Sequence, residues 1–188
     1  MIYVRNDDVL MKSPTQPDAM GKFVTIHNII ESYGYMHCPA ILTNDIEAFP
    51  EAIEFIRLKT QQRKMVPQLH GSNHFDYAIL PVEEIQEDYK KCQAWFMRNF
   101  GIGFTKHYTP WGGNAPHLRA TAAAMGIEMV DTEGIIDPRH VLADPEFSWQ
   151  KYCGKELFIH WWFSPKLLDQ ALAKLKAAEQ TTTFDIRN

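Results

Sequence analysis

Segments typical of β-strands alternate with segments typical of α-helices along most of the chain, and this alternation limits the folds open to it. The clearest helix lies between Val82 and Gly101, where apolar side chains recur every three or four residues and a glycine follows. Strands separated by helices pair in parallel, because each helix returns the chain to the same end of the sheet. We therefore predict a parallel α/β architecture.

We predict strands at residues 2–6, 40–42, 65–69, 104–108, 127–130 and 157–161. Helices are predicted at residues 18–33, 50–62, 82–100 and 116–126, and a last helix begins at Ser164-Pro165. The stretch 132–154 is predicted to be irregular. Because no repeat or interdomain linker interrupts the pattern, residues 1–188 are predicted to form a single domain.

The composition is that of an ordinary globular protein and argues against several classes of function. The 188 residues carry a net charge of −4, and they lack the basic patch that binds nucleic acid. No apolar run approaches the length of a membrane span, and the N-terminus lacks the features of a signal peptide. We expect a cytoplasmic protein, unless an exported precursor was trimmed before this numbering begins. The three cysteines have no zinc-finger or disulfide spacing, so we expect reduced thiols.

Two histidines four residues apart, His70 and His74, directly follow one predicted strand, and the pair Asp7-Asp8 follows another. Two imidazoles and one carboxylate match the ligand set of catalytic zinc sites, which leave a fourth position open for water. One helical turn over residues 70–74 would bring the two rings together, whereas the intervening Gly-Ser-Asn favours a loop. We predict a divalent metal site, with Zn²⁺ as the ion that fits this set.

Further polar and aromatic groups follow the later predicted strands. Trp111 and its neighbouring glycines come after one strand, Asp131 after the next, and His160 lies in the last. In parallel barrels the carboxyl ends of the strands meet at one mouth, where catalytic groups collect. We therefore expect these residues to share a cavity with the histidine pair.

In its order of motifs the chain resembles the polysaccharide deacetylase family, carbohydrate esterase family four. Its opening motif, in the form with an arginine two residues before the Asp pair, is similar to Arg5–Val9, and its His-x-x-x-His motif is similar to 70–74. The third motif is similar to Tyr108–Gly112, and the Leu-x-His motif is similar to Phe158–His160. The resemblance implies a distorted parallel (β/α) barrel of about six to seven strands. It also implies a metal-dependent hydrolase that removes an acyl group from an N-acetylated sugar or a related amide.

The resemblance implies roles for the motif residues. Asp7 would be the general base and His160 the general acid, and the backbone N–H of Trp111 would help to hold the oxyanion. The divalent metal, most simply Zn²⁺, would be bound by Asp8, His70 and His74. The substrate would be contacted by residues of the later motifs: Tyr108, Pro110, Phe158, Trp161 and Asp131. Among these, Phe158 would line the acyl pocket, and Asp131 would tune the general acid.

Several alternatives remain open at this point. Tyr108 stands where the family has an arginine that orients the catalytic aspartate, which leaves Arg5 or Arg119 as the charge partner of Asp7. The same departure favours a binding module that holds a carbohydrate or a partner without turnover. A third interpretation is a hydrolase of a non-sugar linear or cyclic amide. Without the resemblance, His160 in an apolar strand would be interpreted as a buried core histidine.

Overall fold

The computed structural model of this protein describes residues 2–10, 18–130, 135–160 and 162–185. Its strands are β1 (Tyr3–Val9), β2 (Met36–Leu42), β3 (Gln68–Gly71), β4 (Lys106–Tyr108), β5 (Glu128–Val130) and β6 (Glu156–His160). They form one six-stranded sheet in the order β5-β4-β3-β2-β1-β6, and every neighbouring pair is parallel. This arrangement confirms the predicted parallel α/β class.

The α-helices of the described residues are α1 (Ala19–Ser32), α2 (Thr43–Ile46), α3 (Pro50–Gln61), α4 (Val82–Phe100), α5 (Pro116–Ala124), α6 (Pro138–Ala143), α7 (Trp149–Tyr152) and α8 (Pro165–Asp185). Helix α4 has the predicted bounds, because Gly101 takes the left-handed conformation that ends it. Its buried face includes Ile85, Tyr89 and Phe96. Burial stabilises the fold by roughly 1.5–3 kcal/mol for each large apolar side chain. Within the described ranges, no helix is both long and apolar enough to cross a bilayer.

The sheet curls into a partial barrel, because strands far apart in the sheet order are joined through their side chains. Three strands separate β4 from β6, yet the Tyr108 hydroxyl of β4 donates to Glu156 Oε1 of β6 across 3.1 Å. Lys106 Nζ lies 3.0 Å from the same oxygen. Between these strands lies Arg5 of β1, with its guanidinium carbon 4.1 Å from the centre of the Tyr108 ring. Large polar side chains therefore fill the inside of the curl.

Strands β2 and β3 begin three or more residues away from their predicted starts. β2 begins at Met36 rather than at residue 40, because it pairs with β1 from that residue onward. Its sequence His-Cys-Pro has no alternating pattern, so this pairing was not visible in the sequence. β3 begins at Gln68 rather than at residue 65, because Met65 makes only an isolated bridge to His37.

The prediction of an irregular stretch over residues 132–154 is wrong for its described part, which contains α6 and α7. Helix α6 begins with Asp137, whose side chain accepts the Arg139 N–H, and with Pro138 in the first turn. In α7, Trp149 and Tyr152 are buried in the same core cluster as residues of α8. Both helices are shorter than two turns, so neither shows a helical repeat in its sequence.

Two buried histidines lie near the amino-terminal end of the sheet, away from the end where the strands carry the candidate site residues. His27 of α1 and His37 of β2 are fully buried, and their Nδ1 atoms lie 3.3 Å apart. Burial lowers the pKa of His27 to about 4 and lowers the pKa of His37 well below its usual range. Glu31 and Lys59 face His27 from the surface side, where they form an ion pair of 2.7 Å. Both histidines are therefore neutral in the folded protein at neutral pH.

We predict that acid destabilises the fold through these histidines. The unfolded state binds a proton at His27 near pH 6.5, whereas the folded state does so only near pH 4, so stability falls as the pH decreases through this window. At pH 5 the loss from His27 alone is roughly 2 kcal/mol relative to neutral pH. Urea unfolding of the wild type and of His27→Gln at both pH values measures it. An equally steep loss in His27→Gln would contradict the assignment.

Candidate metal centre

Three side chains from two strands and one loop meet at the carboxyl end of the sheet. Asp8 Oδ1 lies 3.0 Å from His70 Nε2 and 3.0 Å from His74 Nε2. The candidate ligand atoms of all three residues lie within 4.8 Å of one another. Ligand atoms about 2 Å from a shared ion lie roughly 3 Å apart, so this group has the dimensions of a site for a divalent metal.

A bulge in β1 places Asp8 there. The register between β1 and β2 shifts between Asn6 and Val9, and Asp8 has a left-handed φ of 54°. In a regular strand neighbouring side chains point to opposite faces, whereas a bulge lets both Asp7 and Asp8 line one cavity. The two aspartates thus lie within an extended β1, rather than after a strand ending at residue 6. A non-glycine residue held at positive φ costs about 1–3 kcal/mol and is typical of functional sites.

The orientation of His70 makes the site suitable for a cation. His70 Nδ1 lies 2.5 Å from the backbone carbonyl oxygen of Tyr108 and must carry the hydrogen of that bond. In the neutral ring, Nε2 then presents a lone pair to the Asp8 carboxylate. Burial raises the pKa of the Asp8 carboxyl, whereas donated hydrogen bonds and positive charge at the neighbouring histidines lower it, and the net effect is a lowered pKa. A cation held between the same groups would favour the charged carboxylate in the same way. Two acceptor atoms that face each other, such as His70 Nε2 and Asp8 Oδ1, repel unless a cation lies between them and binds both.

His74 reaches the site from a loop. Residues 72–75 are not helical, so the one-turn geometry considered for the pair is wrong, and the loop interpretation is the one observed. The ring centres of His70 and His74 lie 5.3 Å apart. His74 is half-buried, and its ring makes an edge-to-face contact with the Trp111 ring, with centres 4.7 Å apart.

Asp7 is held by a buried arginine. Arg5 Nε and Nη2 donate to the two carboxylate oxygens of Asp7 at 2.7 and 2.5 Å. The guanidinium stacks on the Tyr108 ring and lies 5.1 Å from the centre of the Phe158 ring. Arg5 is therefore the charge partner of Asp7, while Arg119 bonds to Asn114 instead. Tyr108, which stands where the third motif has its arginine, packs against Arg5 of the first motif.

His160 ends β6 beside the same aspartates. Its Nε2 lies 3.8 Å from Asp8 Oδ2, and its ring stacks on Trp162 with centres 4.4 Å apart. The Phe158 ring lies 4.7 Å away on the same strand. Burial lowers the pKa of His160, although the charges of Asp8 and Asp7 oppose this effect. His160 is only half-buried and faces the cavity rather than the core.

These groups line a cavity of about 450 Å³ at the mouth of the partial barrel. Its wall is formed by Arg5, Asp7, Asp8, His70, His74, Thr109, Trp111, Gly112, Phe158, His160 and Trp162. Trp111 has a left-handed φ of 59° and a side chain that is 76% exposed at the rim. The wall thus combines charged groups with aromatic rings.

The remaining predicted site residues do not reach this wall or are not described. Tyr108 and Pro110, predicted to contact the substrate, are buried behind the wall. Asp131 and Trp161 lie outside the described residues. Thr109 and Gly112 also line the cavity, although no role was predicted for either, and both lie within the third motif, Tyr108–Gly112.

Comparison with known proteins gives structural but not sequence matches. No protein-family profile and no curated protein matches the chain. The peptidoglycan deacetylase PdaC from Bacillus subtilis superposes with a TM-score of 0.65 at 17% identity, covering 94% of this chain and 83% of PdaC. A family 4 carbohydrate esterase from Streptomyces lividans, solved with acetate, gives 0.65 at 14% identity over 96% of this chain and 87% of its own.

A third match is a pseudoenzyme of carbohydrate esterase family 4, BA3943 from Bacillus anthracis. It superposes with a TM-score of 0.68 at 12% identity, covering 94% of this chain and 60% of BA3943. The chain has the fold of the family 4 carbohydrate esterases. This esterase fold confirms the predicted distorted (β/α) barrel, and it is shared by a protein described as a deacetylase and by one described as a pseudoenzyme.

We predict that the purified protein binds one zinc ion and that His74→Ala loses it. Removing a ligand should weaken binding by more than the roughly 10–100-fold that loss of an outer hydrogen-bond partner costs. The matched control is His140→Ala, which removes an exposed imidazole elsewhere on the fold. Competition with a zinc chelator measures both affinities. Equal zinc binding by the two variants would contradict the site.

We predict that Arg5→Leu destabilises the fold by about 3–5 kcal/mol, because it leaves the buried Asp7 carboxylate without its partner. Adding Asp7→Asn to the same protein should restore part of that loss. The control is Arg139→Leu, which breaks a similar two-pronged pair with Asp137 at the surface and should change stability little. Urea unfolding measures all four proteins. Equal losses in the free energy of unfolding for Arg5→Leu and Arg139→Leu would contradict the prediction that burial makes the Arg5–Asp7 pair more important for stability.

Proposed function

We propose that this protein is a metal-dependent deacetylase that hydrolyses the amide of an N-acetylated saccharide. The observation that carries the proposal is the meeting of two functional groups in one cavity of the esterase fold. The Asp8–His70–His74 group, with distances of 3.0 Å, lies beside the Arg5–Asp7 pair and His160. Each part has a role in amide hydrolysis.

The donor set fits a divalent metal, and zinc in particular. Two imidazole nitrogens and one carboxylate oxygen supply three ligands, and the cavity gives the fourth side of the site access to solvent. When bound, the ion supplies Lewis-acid activation of water and of the acyl oxygen. His70 is preset for this role, since its Nδ1–H donates to the Tyr108 carbonyl and leaves Nε2 free to bind.

Asp7 is the proposed general base. Arg5 uses one lone pair of each Asp7 oxygen, so each oxygen keeps a second lone pair for the attacking water. As the water oxygen bonds to the acyl carbon, its proton passes to Asp7. The Arg5 pair holds the carboxylate in place during this transfer, in the way expected of the arginine that the third motif lacks.

His160 is the proposed general acid. The C–N bond breaks as the nitrogen takes a proton from the His160 ring, and the products are acetate and a free amine. The backbone N–H of Trp111 is the proposed donor to the oxyanion. The Phe158 ring forms an apolar wall of the cavity, where the acetyl methyl group is placed.

The rim supports a saccharide as the substrate. Trp111 is 76% exposed and Trp162 is 43% exposed, and both line the cavity. Exposed indole rings bind the apolar faces of sugar rings, while the charged floor receives the polar acetamido group. A non-sugar amide on the same groups is the alternative, as is a protein that binds without turnover. The Arg5–Asp7 pair supports turnover, because it supplies the charge partner whose absence from the third motif favoured binding alone.

We predict that the zinc-loaded protein releases acetate from N-acetylglucosamine oligomers and that Asp7→Asn slows this about 10²–10⁴-fold, since it removes the base. Asp7→Asn should keep its zinc, because Asp7 is not among the proposed ligands. Asp45→Asn, away from the cavity, serves as the control. Measured acetate and zinc content decide the outcome. Undiminished acetate release by Asp7→Asn would contradict the mechanism, and zinc binding without any turnover would favour the binding protein.

A further inference from the structure

A buried tyrosine holds the outer side of the loop between the two histidines. Tyr77 is fully buried, and its hydroxyl oxygen accepts the Ser72 N–H at 3.0 Å. The same hydroxyl donates to the Asp88 carboxylate of α4. One oxygen atom therefore joins the loop that carries His74 to a helix of 19 residues.

Asp88 sets the direction in which the Tyr77 hydroxyl donates its hydrogen. A phenol has one hydrogen, so donation to Asp88 leaves its lone pairs for Ser72 N–H. Burial, followed by the charge of Asp88, raises the pKa of Tyr77 far above its usual value. The hydroxyl thus stays protonated, and its donor and acceptor directions are fixed.

Gly71 lets the loop approach this close. It has a φ of +126°, and a Cβ at that position would lie 2.8 Å from the Tyr77 hydroxyl oxygen and 2.7 Å from the Asn73 carbonyl oxygen. With any other residue at position 71, the phenol or the loop backbone would have to shift. Gly71 therefore allows the loop between the two histidines to contact Tyr77 closely.

The loop is tied at two further points, both before His74. Asn44 N donates to the Ser72 carbonyl oxygen at 3.0 Å, and the Asn44 side-chain amide donates to Asn73 Oδ1 at 3.1 Å. The ring of His74 itself meets Asp8 and the exposed Trp111. These bonds hold the backbone of Ser72 and Asn73, and this backbone determines where the His74 ring lies.

We infer that Tyr77, with Asp88 as its acceptor, is a positioning residue that sets the place of His74 in the metal centre. Its hydroxyl fixes Ser72, and through it the distance of 3.0 Å between His74 Nε2 and Asp8 Oδ1. The inference rests on the metal site of the proposed function but not on its substrate or turnover.

Tyr77→Phe tests this inference, because it keeps the ring and removes the oxygen. We expect the zinc dissociation constant to rise about 10–100-fold, as for other outer partners of metal ligands. The visible absorption of the cobalt-substituted protein should change as well, because His74 takes a different position. The matched control is Tyr152→Phe, which also removes a buried tyrosine hydroxyl bonded to an aspartate, Asp144 at 2.6 Å. It should leave the zinc affinity and the cobalt spectrum unchanged.

Two variants of Asp88 separate the hydrogen bond from general stability. Asp88→Asn keeps an oxygen that accepts the Tyr77 hydroxyl, so it should retain zinc affinity, whereas Asp88→Leu should behave like Tyr77→Phe. In the metal-free protein, amide hydrogen exchange at Ser72 should be faster in Tyr77→Phe than in the wild type. A Tyr77→Phe protein with wild-type zinc affinity, cobalt spectrum and exchange overturns the inference. A wild type that binds zinc but releases no acetate contradicts the proposed function and leaves this inference standing.

Discussion

The parallel pairing of β1 with β2 on one side and β6 on the other is the constraint on which the cavity depends. Asp7 of β1 lies opposite His160 of β6 in this register, so two candidate catalytic groups are neighbours by backbone pairing. The same strand carries Arg5, whose guanidinium lies against rings of β4 and β6 inside the curl. β1 therefore joins β2 to β6 in the sheet and also supplies the arginine that fills the inside of the curl.

The charges inside the curl alternate in sign, which reduces the cost of burying them. Asp7 pairs with Arg5 at the mouth, and Glu156 pairs with Lys106 at 3.0 Å where β6 and β4 begin. Tyr108 lies between the two pairs, with its ring against Arg5 and its hydroxyl on Glu156. Buried charges are tolerated when each has an opposite partner with good hydrogen-bond geometry. Tyr108, which replaces the arginine of the third motif, therefore contacts a member of each ion pair.

Much of the fold could be predicted from the sequence, because helices such as α4 have clear periodicity and glycine ends. The ligand types of the site were also visible in Asp8, His70 and His74, since their chemistry depends only on side-chain identity. The bulge in β1 and the Arg5–Asp7 pair could not be predicted with certainty, because they depend on register and on contacts between distant strands. Tyr77 carried no signal, since its role arises from where α4 packs on the loop.

The bulge at Asp8 has a consequence for how chains of this fold diverge. A strand alternates its side chains between two faces, so deleting one residue between Asn6 and Val9 would restore a regular β1. Because Asp7 and Asp8 are the two residues between Asn6 and Val9, the deletion would remove one of these carboxylates. Such a chain would keep its core, helices and histidines but would have only one of two aspartates, the candidate metal ligand or the proposed general base. The loss of a single residue therefore separates a two-carboxylate centre from one that lacks either the proposed base or a candidate metal ligand.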